Sequence, residues 1–225
     1  MNFFQRTWTV LWKDLRIEGR NREGLNTLLF FSAILLFLFH FALGPDRARI
    51  GAAAGGLLWL GFILMGLFAM ARTFQVEREE ECLEGLRLLP GDPGAIYLGK
   101  VLWAVVLLGS VELVTFVLFG VLFNVSIWAR LVSLLGVAVL GTVGISAVGV
   151  LFAAMAAHLR AREAMLPLLL FPLVIPVLLA AVQLTQVILQ EGSIFGQGHW
   201  VRLLAVFDIV FLVVGFLTFT FVLEE

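Results

Sequence analysis

The sequence predicts an all-α integral membrane protein with six transmembrane helices, preceded by an amphipathic helix that lies in the membrane interface. Two observations support this fold class. Of the 225 residues, 61% are hydrophobic and 14% are charged, whereas soluble domains are about half apolar and a quarter charged. The apolar residues also form long blocks that lack the alternation of a membrane β-barrel. This composition excludes a soluble enzyme, and a net charge of −1 argues against a nucleic-acid partner.

The segment ahead of the first span, residues 2–22, differs from the apolar blocks. Phe4, Trp8, Leu11 and Leu15 repeat at helical spacing and give one apolar stripe, while polar and cationic residues occupy the other faces. A helix with a tryptophan-bearing apolar side and a cationic side lies in the plane of the interface. The sequence therefore predicts an interfacial helix. It is either a passive anchor or an elbow that transmits motion to the helices it contacts.

Six apolar blocks are long enough to cross a hydrocarbon core of about 30 Å, which needs about 20 helical residues. We expect them to form one transmembrane domain over residues 1–225. The predicted spans are 25–43, 50–71, 101–123, 131–157, 165–189 and 203–223.

The positions of the cations predict the orientation. Most Lys and Arg residues lie in the N-terminal segment, in the loop between spans two and three, or in the loop between spans four and five. The positive-inside rule places these segments, and with them both termini, in the cytoplasm. The exceptions on the opposite side are Arg47, Arg49, Arg130 and Arg202.

The largest hydrophilic segment is the loop 72–100, on the predicted cytoplasmic side. Glutamates crowd its first half, although cytoplasmic loops favour Lys and Arg. A solvated charged face is the simpler interpretation. The acid density beside a membrane, together with an apolar side on the same helix, favours a docking surface for a soluble partner. The candidate docking residues are Phe74, Glu77, Glu80, Glu81, Glu84 and Arg87.

Residues 94–100, GAIYLGK, fit the G-x-x-x-x-G-K pattern of a phosphate-binding loop. That loop requires a preceding strand and a Ser or Thr after the lysine. Here a proline-rich turn precedes the segment, Val101 follows Lys100, and a membrane span comes next. We therefore interpret the match as accidental, so that any ATP would be hydrolysed by another chain.

Polar residues inside the spans are functional candidates by default. Glu112 lies at the middle of span three, where an ionised carboxylate is costly, so we expect a neutral carboxyl bonded to a hydroxyl or open to a wet cavity. Structural contact between helices is the alternative. Asp208 is expected near the outer end of span six, where it is easier to hydrate, and His40 near the outer end of span one. The hydroxyls within reach of Glu112 are those of Thr115, Thr142 and Ser146.

Prolines and small residues predict how the spans pack. Pro167, Pro172 and Pro176 indicate kinks in span five, and freed carbonyls need neighbouring helices, so span five is expected to be buried. Small residues predict close helix contacts at Gly51 and Gly55 in span two and at Gly149, Ala153 and Ala157 in span four. The sequence contains no constellation of metal ligands and no activated nucleophile, so we expect a non-catalytic chain without a metal site.

The order of an interfacial helix, six spans and an acidic loop resembles the type-2 exporter permeases of ATP-binding-cassette transporters, and more narrowly the CcmB family of cytochrome c maturation. The likeness covers residues 1 to about 177. The family patterns N-P-L-x-F-F, I-G-P-E, G-x-x-W and L-P-L-x-I-P are similar to NTLLFF at 26–31, LGPD at 43–46, GLLW at 56–59, and LP at 166–167 with FPLVIP at 171–176.

The loop carries the most specific part of the resemblance. The family's F-x-x-D-x-x-D-G followed by S-L-E-x-L is similar to the segment from Phe74 to Leu86. Both aspartates are glutamates here, Glu77 and Glu80, which keeps the charge and lengthens the arm. The family's glycine is Glu81, which puts any backbone turn that required glycine in doubt.

The resemblance implies a permease subunit in the bacterial cytoplasmic (inner) membrane that works with a separate ATPase, CcmA, docked on the loop. It implies CcmC-like and CcmD-like membrane subunits and a CcmE-like haem chaperone as further partners. Haem would be a handled ligand rather than a stably bound cofactor. A tryptophan-rich haem-handling motif is absent, which favours transmission of ATP-driven change over direct haem ligation. A generic exporter subunit for a lipid, drug or polysaccharide and a non-transporting scaffold remain as alternatives.

Overall fold

The computed structural model describes residues 2–74, 92–125, 127–156, 162–192 and 196–224. Within these ranges the secondary structure is helical, and a short 3₁₀ turn, Trp128–Arg130, leads into the fifth helix. The α-helices in these ranges are α1 Phe3–Asn21, α2 Glu23–Leu43, α3 Arg47–Arg72, α4 Gly94–Leu122, α5 Leu131–Ala156, α6 Arg162–Glu191 and α7 Gly198–Glu224.

The six predicted spans are confirmed as helices α2 to α7, each long and apolar enough to cross a bilayer. The predicted start of the third span at residue 101 is too late, because α4 begins at Gly94. Asp92 Oδ1 accepts a hydrogen bond from the Gly94 backbone N–H at 2.8 Å and so satisfies one donor of the first turn. The sequence predicts a loop throughout this Gly- and Pro-rich stretch, whereas Pro93 is the N-cap of the helix.

The helix α5 is the centre of the bundle and contacts α3, α4, α6 and α7. In the most apolar 18-residue stretch of α5, 72% of the residues are buried, whereas 33% are buried in the corresponding stretch of α6. The expectation that span five, now α6, is buried in the bundle therefore holds for one face of the helix only. Small residues explain the difference, because a side chain on Gly141 would collide with the Trp59 ring and one on Gly149 would meet Met70.

The helix α6 buries one face and exposes the other. Its three prolines lie inside a helix that continues without interruption from Arg162 to Glu191. Leu170, Val174, Val177 and Leu184 are fully buried, which is the spacing of one helical face. The prolines therefore do not require burial on all sides.

The contact between α3 and α6 uses polar groups as well as small residues. Trp59 Nε1–H donates to Thr185 Oγ1 at 2.9 Å. The Gln186 side-chain amide accepts from the Gly55 backbone N–H and donates to the Gly51 carbonyl. A side chain on Gly55 would collide with the Val182 carbonyl oxygen at 2.8 Å. The predicted close contacts at Gly55 and Gly149 are thus confirmed, and Ala153 is buried. The close contact predicted at Gly51 is not found, because a Cβ there would meet nothing within 4 Å. Ala157 lies outside the described residues.

The first two helices lie at the periphery. The helix α1 packs mainly along α4, and α2 contacts α3 and α4. Arg22 separates α1 from α2 in the left-handed region at φ 51°. The Glu18 carboxylate then accepts from the Leu25 backbone N–H at 2.6 Å and ties the first turn of α2 to the end of α1. The corner between α1 and α2 therefore sits against the ends of α3 and α4.

Candidate functional site

The structure describes the two flanks of the predicted docking loop. Glu77, Glu80, Glu81, Glu84 and Arg87 lie outside the described residues, so their roles stay predictions. The sixth candidate, Phe74, is buried at 4% exposure, and its ring lies 6.4 Å from that of Phe219 on α7. Phe74 is thus a packed anchor at the start of the loop rather than an exposed docking side chain.

Lys100 of α4 is the centre of a buried polar cluster beside Phe74. Its side chain is 2% exposed. The ammonium Nζ lies 3.0 Å from Asp14 Oδ2 of α1 and donates to the Thr73 carbonyl at 2.9 Å. It also lies 5.3 Å from the centre of the Phe74 ring, which is within cation–π range. We call Asp14, Thr73, Phe74 and Lys100 the lysine junction.

The lysine junction joins three elements that are far apart in the sequence. Thr73 is the C-cap of α3, so the Lys100 ammonium lies where the helix dipole favours a cation. Removing one member of a buried ion pair typically costs about 3–5 kcal/mol, because the other charge is left buried and uncompensated. The arrangement therefore holds α1, the end of α3 and the start of α4 together.

The sequence of α1 presents Asp14 to Lys100. Thr7, Val10, Leu11 and Asp14 are buried and follow the spacing of one helical face. At the contact with α4, a side chain on Gly99 would lie 2.7 Å from Val10 Cβ, so the close approach of the two helices requires the glycine. The hydrophobic face that packs on the bundle is therefore not the predicted stripe.

The predicted stripe is split between two environments. Leu11 is buried against the bundle and Leu15 packs against the same core, whereas Phe4 and Trp8 are 84% and 64% exposed. Trp12, which lies outside the stripe, is 51% exposed beside them. Arg16 lies 5.9 Å above the Trp12 ring, at the end of this outward aromatic face. An aromatic outer face flanked by a cation is the pattern of an interfacial helix. The amphipathic helix is present as expected, and its position in the interface stays a prediction.

Residues 94–100 form the first turns of α4. Tyr97 is fully buried, and its hydroxyl lies 3.0 Å from the Ala147 carbonyl of α5 and 3.2 Å from the Phe211 carbonyl of α7. A side chain on Gly215 would collide with the phenol ring. The G-x-x-x-x-G-K match is thus a packed helix rather than a phosphate-binding loop, as the sequence analysis concluded.

A cavity of about 110 Å³ adjoins the lysine junction between α1, α2, α3 and α4. Asp14, Glu18, Arg72, Lys100 and Trp103 contribute to its wall. The Arg72 guanidinium pairs with Glu23 across the rim at 3.4 Å, and both side chains are substantially exposed. A cavity of this size, with charged groups in its wall, can hold several water molecules. A second cavity of about 440 Å³ lies among α2, α3, α5 and α6 and has a largely apolar wall.

Glu112 forms a contact between α4 and α5. Its carboxyl group is 3% exposed, and Oε1 accepts a hydrogen bond from Thr142 Oγ1 at 2.5 Å. Of the three candidate hydroxyls, Thr142 is the one that bonds it, because Thr115 donates to the Val111 carbonyl of its own helix. The expectation of a hydroxyl partner is confirmed, and the geometry is that of a helix–helix contact.

Asp208 is more deeply packed than the sequence suggested. It is 6% exposed, and a side chain on Gly144 would lie 2.7 Å from its Oδ1. The expectation of easy hydration near the outer end is wrong, since the face it occupies points at α5. Thr142 and Gly144 are two residues apart, so Glu112 and Asp208 contact roughly opposite sides of α5. Neither residue lines one of the cavities described above.

His40 lies half-buried on α2. Its ring is 5.3 Å from that of Phe123, and its Nδ1 has no hydrogen-bond partner among the described residues. In the described ranges no group of three or more His, Cys, Asp and Glu residues is placed to hold a metal ion. His40 is thus in an aromatic contact between α2 and the end of α4.

Sequence reasoning missed Asp14 and Lys100 as a pair. A signal was present, because Asp14 follows Thr7, Val10 and Leu11 at the spacing of one helical face. An acidic side chain on the buried face of a helix needs a buried cation as its partner, because an unpaired buried charge is costly. Lys100 lies directly before one predicted span and Arg72 directly after another, so the sequence offers both as partners and does not choose between them.

The chain is similar to known proteins over nearly its whole length. A family model described as CcmB protein matches residues 5–224, which extends the likeness well beyond residue 177. The heme exporter protein B of Rhodobacter capsulatus is 32% identical over 180 residues, which cover 79% of this chain and 81% of that protein. The proteins of the same name from Haemophilus influenzae and Bradyrhizobium diazoefficiens are 32% and 29% identical, covering 76% and 90% of this chain and 77% and 90% of their own lengths.

Proposed function

The chain belongs to the CcmB protein family, and from this membership we propose that it is the membrane subunit of a haem exporter. The observation that carries the proposal is the family match over residues 5–224, which includes nearly all of the interfacial helix and all six spans. Relatives that align over most of their length carry the name heme exporter protein B. The six long apolar helices are consistent with a subunit that remains in the membrane.

We further propose that a separate, CcmA-like ATPase drives the exporter by docking on the cytoplasmic segment 72–100. The charge distribution supports a cytoplasmic position for this segment. The buried anchors at both flanks, Phe74 and Lys100, support a mechanical role, because a force on the segment would act on α1, α3 and α4 together.

The exporter would act in cytochrome c biogenesis in the bacterial inner membrane, with both termini of this chain in the cytoplasm. CcmC-like and CcmD-like membrane subunits and a CcmE-like haem chaperone complete the proposed complex. Glu112 is engaged in a contact between helices, which supports a subunit that transmits ATP-driven change rather than one that ligates haem.

Isolation of the intact complex tests the ATPase proposal. We expect an ATPase to co-purify with the tagged wild-type chain in mild detergent, and Glu77→Ala plus Glu80→Ala to lower its recovery by about fivefold or more, as loss of charged contacts at an interface predicts. Glu191→Ala is the matched control, because Glu191 is an exposed carboxylate at the last residue of α6, outside the segment 72–100. Undiminished ATPase recovery with the double variant would exclude this segment as the dock.

A generic exporter subunit for an amphiphile is the second candidate. The observation in its favour is the apolar cavity of about 440 Å³, with Arg72 in its wall. Deletion of the gene discriminates the two functions. We expect loss of haem-stained c-type cytochromes, restored by the wild-type gene. Normal cytochrome c levels with a defect in lipid or polysaccharide export would establish the second function instead.

A further inference from the structure

We propose that Lys100 is a positioning residue that makes the amphipathic helix α1 move together with the two flanks of the cytoplasmic segment. The inference deepens the proposed function and rests on it in one respect: an ATPase must act on that segment. The holding role of the lysine junction itself can be tested without any partner.

The first step is that one ammonium group binds both flanks of the segment. Lys100 belongs to α4, which begins at Gly94 in the last part of the segment, and it donates to the carbonyl of Thr73, the C-cap of α3 at the start of the segment. The Phe74 ring lies on the same ammonium group at 5.3 Å. Displacement of either flank therefore changes the distance between Lys100 and Thr73.

The second step is that the same group binds α1. Asp14 Oδ2 lies 3.0 Å from Nζ, and the two side chains are 8% and 2% exposed. Burial keeps the pair from being screened by salt and water, unlike the exposed pair between Arg72 and Glu23 at the rim. A shift of Lys100 therefore displaces Asp14 and with it α1, because solvent does not weaken the attraction between the two charges.

The third step is that α1 is attached to the bundle mainly through α4. Within the described structure it packs along α4, with smaller contacts to the start of α2 and, through Phe3, to Phe216 of α7. Its outer face is aromatic and exposed, with Phe4 at 84% and Trp8 at 64%. The cavity beside the junction leaves room for the helix to shift. A helix joined to α4 by a buried ion pair and by close packing can therefore follow a small movement of α4.

Hydrogen exchange on the purified chain tests the holding role. In Lys100→Met, we expect amide exchange in α1 and at residues 72–74 to rise by about tenfold, because loss of the tie lets these segments open locally. Lys13→Met is the matched control, since Lys13 pairs with the other oxygen of the same carboxylate at 3.2 Å and is 40% exposed. Unchanged exchange in Lys100→Met, or an equal rise in Lys13→Met, would overturn the proposal.

The ratio of haem delivered to ATP hydrolysed, measured on the intact complex in vesicles, tests the transmitting role. In Lys100→Met we expect ATPase affinity to stay within about twofold and ATP hydrolysis to continue, while the ratio falls by about fivefold, since coupling rather than docking is lost. A variant that was merely less folded would lower both quantities together and leave the ratio unchanged. An unchanged ratio, or a large loss of ATPase affinity, would overturn the transmitting role.

Asp14→Asn provides a second variant with nearly the same shape, which carries both tests if Lys100→Met lowers the yield of folded protein. We expect the same changes, because Asn removes the charge that holds Lys100. A wild-type chain that recruits no ATPase would overturn the proposed function and the transmitting role together. The exchange measurement would still decide whether Lys100 holds α1.

Discussion

The Thr142 hydroxyl is the group that satisfies Glu112 inside the bundle. Both side chains are almost fully buried, at 1% and 3% exposure. A buried polar group that loses its partner cannot turn to water for another, so the cost of removing one partner exceeds the net value of the bond itself. The Glu112 carboxyl therefore depends on this one hydroxyl for its hydrogen bond within the described structure.

Replacing that hydroxyl by a methyl group should destabilise the protein. We expect Thr142→Val to lower the free energy of unfolding by about 1–3 kcal/mol, because the Glu112 carboxyl is left without its partner. Unfolding in mixed detergent, followed by circular dichroism, measures the change. Thr115→Val is the control, since the Thr115 hydroxyl bonds a carbonyl of its own helix. Equal losses in the two variants would contradict the assigned role of Thr142.

The sequence limits the possible hydroxyl partners of Glu112 to a few residues, but it does not show which of them forms the hydrogen bond. Spacing along α4 places Thr115 near the carboxyl, and matching depth places Thr142 and Ser146 near it. The rotation of α5 about its axis determines which hydroxyl bonds the carboxyl. That rotation depends on side-chain packing and cannot be read from hydropathy. Asp208 was misplaced for the same reason, since its depth was estimated along the helix without knowledge of the face that meets Gly144.

Among the elements, the contact between α1 and α4 depends on a residue without a side chain. Gly99 lies where a Cβ atom would come within 2.7 Å of Val10 Cβ. Atoms of two helices do not approach so closely, so any side chain here must push α1 outward. The lysine junction begins at the next residue, and its 3.0 Å distance between Lys100 and Asp14 depends on the same approach.

Adding one methyl group at Gly99 should therefore loosen α1. We expect Gly99→Ala to destabilise the protein by about 1–3 kcal/mol, as overpacking of a helix contact does, and to speed proteolysis within α1. Gly109→Ala is the control on the same helix, because a Cβ there meets nothing within 4 Å. That control should be neutral or slightly stabilising, since alanine favours helix over glycine. A stable Gly99→Ala variant with protected α1 would contradict the packing described.

The helices were more predictable than their contacts. Long apolar blocks identify α2 to α7, because a bilayer permits few alternatives to a helix. The start of α4 was misjudged, since the Gly- and Pro-rich residues before it read as loop although Asp92 and Pro93 initiate the helix. The sequence also did not identify α5 as the central helix. The prolines of α6 indicate backbone carbonyls that need partners, but the glycines of α5 determine how closely its neighbouring helices approach.

At the scale of the whole molecule, the cations specify one orientation of the bundle. Arg47, Arg49, Arg130 and Arg202 are the exceptions to a strong excess of Lys and Arg on the side of the lysine junction. Since cations are retained in the cytoplasm during insertion, the junction, the segment 75–91 and both termini should face the compartment that contains ATP.

Reporter fusions check this orientation. We expect green fluorescent protein fused after residue 225 to be fluorescent, and alkaline phosphatase fused there to be inactive, because the C-terminus stays in the cytoplasm. Alkaline phosphatase inserted between Pro45 and Asp46, in the turn after α2, is the control and should be active. The reverse pattern would place the lysine junction on the outer face and would remove the proposed ATPase dock.

Tyr97 gives the bundle an internal chemical reporter. It is the one tyrosine of the chain, and its hydroxyl is enclosed at the meeting point of α4, α5 and α7. Reagents that nitrate phenols modify tyrosines they can reach, so the closed arrangement resists them. Tyrosine nitration of the native chain thus records the separation of these three helices without any engineered label. A conformation that separates these helices during a transport cycle would be detected as nitration of this single residue.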